Sequence, residues 1–414
     1  MAKINLKIED IKKFHLGGKI SLLISKKLKN QKDLSIAYTP GVSKICEEIY
    51  ANPDFVYSHT SKGHTIAVVT DGTAVLGLGN IGPKASIPVM EGKCMLFKSF
   101  ANIDAWPVPL TDVFLKNGRT DINKVIETVV RLSPMYGGIN LEDIAAPECF
   151  VIEEKLNEIL DIPVFHDDQW GTAIITLAAL KNYLEITGKN ASQIKIVING
   201  AGAAGIRIAD MIKAYGAKNI TMCDSKGTLN IRRNDLNEYK LRHVTRSNEE
   251  NLVDAMKNAD VFIGVSKGNV LTKEMILSMN EYPAIFAMAN PTPEIDPDLV
   301  KEYLHDKKYI LATGRSDYPN QINNVLAFPF IFKGALDVKA TKITMNMKIA
   351  ASNSLSLLAK DPFIPDIVKK AYKRDFKFGS DYLIPTAFDP RIKDFISLAV
   401  AKAAIQDGVA RKSL

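Results

Sequence analysis

The sequence has little of what would place it outside the ordinary globular class. Only four cysteines occur in 414 residues, Cys46, Cys94, Cys149 and Cys223, and they lie far apart. That spacing excludes a disulfide framework and a cysteine-rich zinc cluster, and it points to a reducing, cytoplasmic setting. No apolar run approaches the roughly 18 residues that a bilayer span needs, and the first residues lack the apolar segment of a signal peptide. Neither membrane insertion nor export is expected. Internal repeats and low-complexity tracts are also missing. Arginine is absent from the opening stretch, where nine lysines from Lys3 to Lys32 face only Glu9, Asp10 and Asp33 and supply part of the net charge of +7. Without arginine or interleaved aromatics this reads as a solvated helical face or a subunit contact, not as a nucleic-acid arm. The remaining positive charge can steer a dianionic substrate.

What is present is apolar material in ordered blocks. With 46% hydrophobic and 24% charged residues, the chain can bury large cores, and at roughly 150 residues per domain it should form two or three domains. Residues 1–165 read as a mixed α/β domain. Over 166–345 the pattern becomes regular. Apolar β-rich runs at Ile194–Ile198, Ile220–Cys223, Val261–Val265, Ala284–Met288 and Ile310–Thr313 alternate with helix-sized segments, which predicts an α/β, doubly wound parallel sheet of Rossmann type. Residues 346–414 read as helices packing back on the core.

Two glycine turns compete. The run Gly200-Ala201-Gly202-Ala203-Ala204-Gly205 follows the Ile194–Ile198 strand and precedes helical spacing from Ile206 to Tyr215, the context in which backbone N–H groups cradle a dinucleotide pyrophosphate. Asp224 lies nineteen residues past Gly205, where a carboxylate can accept hydrogen bonds from the ribose hydroxyls and so favour NAD. Alternatively, Lys226, Arg232 and Arg233 nearby could accept a phosphate, which would favour NADP. The earlier run Gly77-Leu78-Gly79-Asn80-Ile81-Gly82 is followed by Pro83 and Pro88. No uninterrupted helix is expected to start there, and the run reads as a packing turn.

Acidic residues cluster just upstream of the second glycine turn. Glu142 and Asp143 are adjacent, so to share one ion they must sit on a turn or a helix end. Asp167 and Asp168 end an apparent buried strand, where uncompensated carboxylates would be costly. Carboxylates are hard oxygen ligands suited to Mg2+ or Mn2+. Lys93 precedes the apolar run Cys94–Phe97, and partial burial there should lower its amine pKa toward that of a useful base. Tyr38 stands before a Pro-Gly turn. His166 reads as structural.

Seven motifs then align in order: Tyr38-Thr39-Pro40-Gly41-Val42, the run Thr70–Gly79, Glu91-Gly92-Lys93, Leu141-Glu142-Asp143-Ile144, the run His166–Ala173, the run Ala289–Glu294, and Asn323-Asn324. Over roughly residues 15 to 400 the chain resembles the malic enzymes, in the short bacterial-type form without the phosphotransacetylase-like extension. The resemblance implies oxidative decarboxylation of malate to pyruvate and CO2, with reduction of NAD or NADP and a divalent ion, in a homodimer. It assigns Lys93 as general base, Tyr38 as general acid, Glu142, Asp143 and Asp168 as metal ligands, and Asp167 as the acid supporting the lysine. Asn290, Asn323 and Asn324 become substrate-side residues near the nicotinamide. Ala74 stands where larger relatives carry a carboxylate-gripping arginine. Two other readings compete: a malolactic enzyme returning its hydride to give lactate, and a catalytically silent NAD-sensing module.

Overall fold

The computed structural model describes residues 7–315 and 317–414. Lys3 of the basic stretch lies outside them. Among the described residues the strands form two sheets. The first holds β1 (Thr65–Thr70), β2 (Asp104–Pro109), β3 (Gly138–Leu141) and β4 (Val164–His166) in the order β2-β1-β3-β4, every pair parallel. The second holds β5 (Lys195–Asn199), β6 (Asn219–Asp224), β7 (Gly227–Thr228), β8 (Val261–Gly264), β9 (Ala284–Ala287) and β10 (Ile310–Thr313). Their order is β10-β9-β8-β5-β6-β7, parallel except for the β6–β7 hairpin. The five strands expected from the apolar runs are β5, β6, β8, β9 and β10, each within a residue at either end. Both faces of such a sheet are covered by crossover helices, which is why Ile196, Val197 and Ile198 are all buried and the strand shows no polar alternation.

The helix Asp167–Thr187 leaves β4 and packs against the helix Ala203–Tyr215 and the helix Met345–Leu358. It is buried on every side, through Trp170, Ile174, Leu177 and Tyr183, as expected of a helix apolar all round. One apolar core therefore runs from Ile66 and Val68 of the first sheet to Ile196 and Ile198 of the second. The C-terminal helix Arg391–Gln406 closes this core against Phe328–Asp337 and Met345–Leu358.

One expectation is corrected. A helix, Gly82–Ala101, does start directly at the first glycine turn. Pro83 sits in its first turn, where a missing N–H has no helical partner to lose, and Pro88 removes only one further bond from a twenty-residue helix. The turn itself still depends on glycine: Gly77, Gly79 and Gly82 have φ of +76°, +73° and +76°.

The segment before β1 is unlike the rest. Its helices Ile8–His15, Gln31–Ala37 and Val42–Ala51 bury no residue, and Leu22, Leu23 and Ile24 are exposed. Among the described residues no helix is long and apolar enough to cross a membrane.

Candidate active site

The acidic residues converge at the carboxyl edge of the first sheet, the place where parallel α/β sheets bind ligands. On β3, Asn140 and the following Glu142 share one face, and Asn140 Nδ2 donates to Glu142 Oε2 at 2.8 Å. The chain then turns. Asp143 has φ of +54°, and its carbonyl accepts Ala74 N at 2.9 Å. Thr73 Oγ1 braces the turn by accepting Ala145 N, and Asp71 accepts both Thr73 Oγ1 and Thr120 Oγ1. Asp167 and Asp168 open the helix that follows β4, where the positive end of the helix dipole favours carboxylates. Asp168 Oδ2 accepts Asp143 N at 2.8 Å. Glu142, Asp143 and Asp168 thus each offer a carboxylate oxygen within 4.8 Å of the others.

Lys93 reaches this cluster from the helix Gly82–Ala101. Its Nζ lies 2.7 Å from Glu142 Oε1 and 2.5 Å from Asp167 Oδ2, and 4.0 Å from the centroid of the Phe328 ring. The expected lowering of its pKa is not found. Burial does work against the ammonium, but the negative charges of Asp167, Glu142 and Asp168 outweigh it and hold the proton more tightly than in a free lysine. Asp167, fully buried, accepts a second hydrogen bond from Asn324 Nδ2 on the same Oδ2 at 2.5 Å. Gly171 makes room for both: a Cβ there would stand 2.0 Å from Asp167 Oδ1 and 2.9 Å from Asn324 Cβ.

Four carboxylates facing one lysine leave negative charge uncompensated in a buried place. Burial, then the neighbouring Asp168, pushes the Asp143 carboxyl up to about 8, and burial also raises Glu142 well above its usual range. Asp143 Oδ2 is buried with no hydrogen-bond partner among the described residues. Clustered hard oxygens, excess negative charge and an unpartnered carboxylate oxygen suit a divalent cation such as Mg2+ or Mn2+.

The second glycine turn suits a dinucleotide. Gly200 has φ of +124° and a Cβ on it would lie 2.6 Å from the Val265 carbonyl, while one on Gly205 would lie 1.8 Å from the Gly200 carbonyl. A Cβ on Gly202 would enter open space at the start of the Ala203–Tyr215 helix, where a pyrophosphate approaches the backbone. Ala201 precedes Gly202, and Ala203 and Ala204 begin the helix. Asp224 ends β6 beside this turn. Asn290 follows β9 and touches the other glycine turn, since a Cβ on Gly77 would lie 2.7 Å from its carbonyl. Through Gly77 with Asn290 and Asp167 with Asn324, the carboxyl edges of the two sheets meet. Asn323 caps the short turn after β10 by accepting Val325 N.

Tyr38 is not joined to this group by any hydrogen bond or ion pair among the described residues. It ends the helix Gln31–Ala37 and is 70% exposed. Asn140, Asp71, Phe328 and Glu294 escape the reading of the sequence. Asp71 and Glu294 lie inside the runs Thr70–Gly79 and Ala289–Glu294, and Asn140 carries the signal of a polar residue inside an apolar strand.

The family profile for the malic enzyme N-terminal domain matches residues 17–157, and the profile for the malic enzyme NAD binding domain matches residues 170–365. The chain belongs to the malic enzyme family. It is 50% identical, over 95% of its length, to the bifunctional malic/malolactic enzyme of Bacillus subtilis, 92% of which is covered. It is 48% identical, over 96% of its length, to the NADP-dependent malic enzyme of Rhizobium meliloti, of which it spans only 51%. The crystal structure of the malic enzyme from Pyrococcus horikoshii superposes with a TM-score of 0.88 at 40% identity, covering 98% of this chain and 92% of that one. As a member of that family, the chain carries its acidic cluster in the first matched domain and at the start of the helix joining the two, and its second glycine turn in the second.

Proposed function

We propose that the protein catalyses the oxidative decarboxylation of malate to pyruvate and CO2 with reduction of NAD or NADP, dependent on a divalent ion. The single observation that carries this reading is the Lys93–Asp167 contact set directly beside the Glu142, Asp143 and Asp168 oxygens. Glu142, Asp143 and Asp168 would hold a divalent ion, which would supply Lewis-acid stabilisation of developing oxyanion charge, and a nicotinamide bound at the second glycine turn would accept the hydride. With a divalent ion offsetting the carboxylate charges that hold its proton, Lys93 would be free as an amine to take the proton of the substrate's C2 hydroxyl, and Asp167, 2.5 Å away, steadies the resulting ammonium. Asn324 keeps Asp167 in that orientation. Oxidation precedes decarboxylation because the new C2 carbonyl is the electron sink that the departing carboxylate needs. Tyr38 then protonates C3 of the enol. Asn290 and Asn323 line the substrate side, and residues Gly200 to Gly205 with Asp224 hold the nucleotide.

The domains run 1–165, 166–345 and 346–414, a division supported by the first sheet being complete at His166 and the second lying within 195–313. The protein is a homodimer in the cytoplasm. The exposed row Leu22, Leu23 and Ile24 on a segment without a core of its own supports a second copy as its cover, and four unpaired cysteines support the compartment.

The Bacillus subtilis relative's name, malic/malolactic, keeps lactate as the second reading. Incubation with malate and either coenzyme separates them. Pyruvate and reduced nucleotide in equal amounts support malic enzyme activity, whereas lactate without net reduced nucleotide supports the malolactic reading.

A further inference from the structure

The residues on either side of Asp167 and Asp168 are held from outside the acidic cluster. Glu153, on the helix Glu148–Ile159, accepts His166 N on Oε1 at 3.1 Å and Trp170 Nε1 on Oε2 at 2.9 Å. One carboxylate thus spans the acidic pair, with an oxygen on each side of it. Gln169 is fixed as well: its Oε1 accepts Arg207 Nε at 2.8 Å, and its Nε2 donates to the Cys149 carbonyl at 3.3 Å. Arg207 comes from the helix Ala203–Tyr215, so three helices meet on this one turn.

Glu153 and Arg207 are both buried, and a buried charge is tolerated only where hydrogen bonds and an opposite charge compensate it. Both conditions are met. Arg207 Nη2 lies 3.9 Å from Glu153 Oε2, and the guanidinium also donates to Glu154 Oε1 at 3.1 Å and to Asp210 Oδ2 at 3.2 Å. Its centre lies 4.8 Å from the centroid of the Trp170 ring, which Lys348 Nζ, from the helix Met345–Leu358, approaches to 3.4 Å. A buried ion pair adds little stability over well-packed apolar side chains, so stability alone does not account for a carboxylate at this place.

Resting on the reading of Glu142, Asp143 and Asp168 as metal ligands, we propose that Glu153 is a positioning residue: by bridging His166 and Trp170 it sets the first turn of the Asp167–Thr187 helix, and with it Asp168, in place to hold a divalent cation. The physical logic is preorganisation. Glu142, Asp143, Asp167 and Asp168 repel one another until a cation arrives, and the helix start that carries two of them is held against that repulsion by Glu153 on residues 166 and 170 and by Arg207 on residue 169. The ordering of the ligands is then met on folding and not on binding, which leaves more of the interaction for affinity.

The test is calorimetric titration of the full chain with Mn2+, beside NADH binding followed by nicotinamide fluorescence. Glu153→Gln keeps the size of the side chain but sets an amide N–H group against one of the two donors, so one bond of the bridge is lost. Mn2+ should bind it about tenfold or more weakly, the usual cost of removing a group that orients a metal ligand, while NADH affinity is retained. Trp170→Phe, which removes only the N–H donor, should weaken Mn2+ in the same direction and by less. Full Mn2+ affinity in Glu153→Gln, or loss of Mn2+ and NADH to the same extent, overturns the proposal. Should that variant not fold, Trp170→Phe decides: weakened Mn2+ with NADH retained supports the proposal, and unchanged Mn2+ overturns it. If the wild type itself binds no Mn2+, the reading of the three carboxylates as metal ligands falls, and the proposal with it.

Discussion

Lys93 and Asp167, separated by 74 positions in sequence, meet at 2.5 Å inside the protein, and Asn324 holds the same carboxylate oxygen from the other side. The contact joins a helix of the first matched domain to the start of the helix between the two sheets, and on it rests the proposal that the lysine handles the substrate's proton.

Lys93→Ala should lower kcat by about 10²- to 10⁴-fold, the usual contribution of a positioned acid or base. Lys93→Arg keeps a positive charge against Asp167 without a basic amine and should be as inactive. Steady-state rates with circular dichroism as a folding control check this. An active arginine variant would show that the charge alone matters.

Asp168→Asn should abolish Mn2+ binding at the site and turnover with it, while the fold survives, because the side chain lies at the edge of the cluster, 33% exposed. Calorimetric titration with Mn2+ reads the loss directly. Unchanged Mn2+ affinity would remove this residue from the ligand set.

Tyr38→Phe should separate the two halves of the reaction. Nucleotide reduction in a first turnover should persist while pyruvate release falls about 10²- to 10⁴-fold. Rapid-mixing measurement of both products tests it, and unaltered pyruvate release would exclude Tyr38 as the proton donor.

Glu294 sets a pH-dependent term in stability. Its carboxyl accepts Ser266 N at 3.2 Å and Ala289 N at 3.0 Å below the Asn290 loop, and burial pushes it up to about 7 despite those bonds. The folded pKa exceeds the unfolded value of about 4.3, so the native state holds the proton more tightly between them. This contribution is fully present below about pH 4 and is lost as pH rises toward about 7. Glu294→Gln removes the titration, so its Tm relative to the wild type should improve between about pH 5 and about pH 8. Parallel Tm profiles would contradict this.

Much of the second sheet was legible because its strands are buried on both faces and therefore read as unbroken apolar runs, as Val261–Gly264 does. The turn at Glu142 and Asp143 was legible from chemistry, since two neighbouring acids can share an ion only if the chain bends. Long-range partners were not. Nothing near Lys93 announces Asp167, so burial was visible while the opposing charges that raise its pKa were not. Asp224 shows the same limit: its position after the glycine turn suggests a ribose acceptor, and only the folded β6–β7 hairpin and the loop after it bring Arg233 and Lys240 onto its oxygens. The helix at Gly82 is hidden in the sequence because proline breaks a helix interior yet is tolerated in a first helical turn, where Pro83 sits.

The most direct test of the account is the rate of pyruvate formation from malate and NADP by the EDTA-stripped enzyme, before and after Mn2+ is restored. The account predicts no turnover without the ion and recovery of equal amounts of pyruvate and NADPH once it is added. Full turnover by the stripped enzyme, or none of either product in the presence of Mn2+ and both coenzymes, would contradict it.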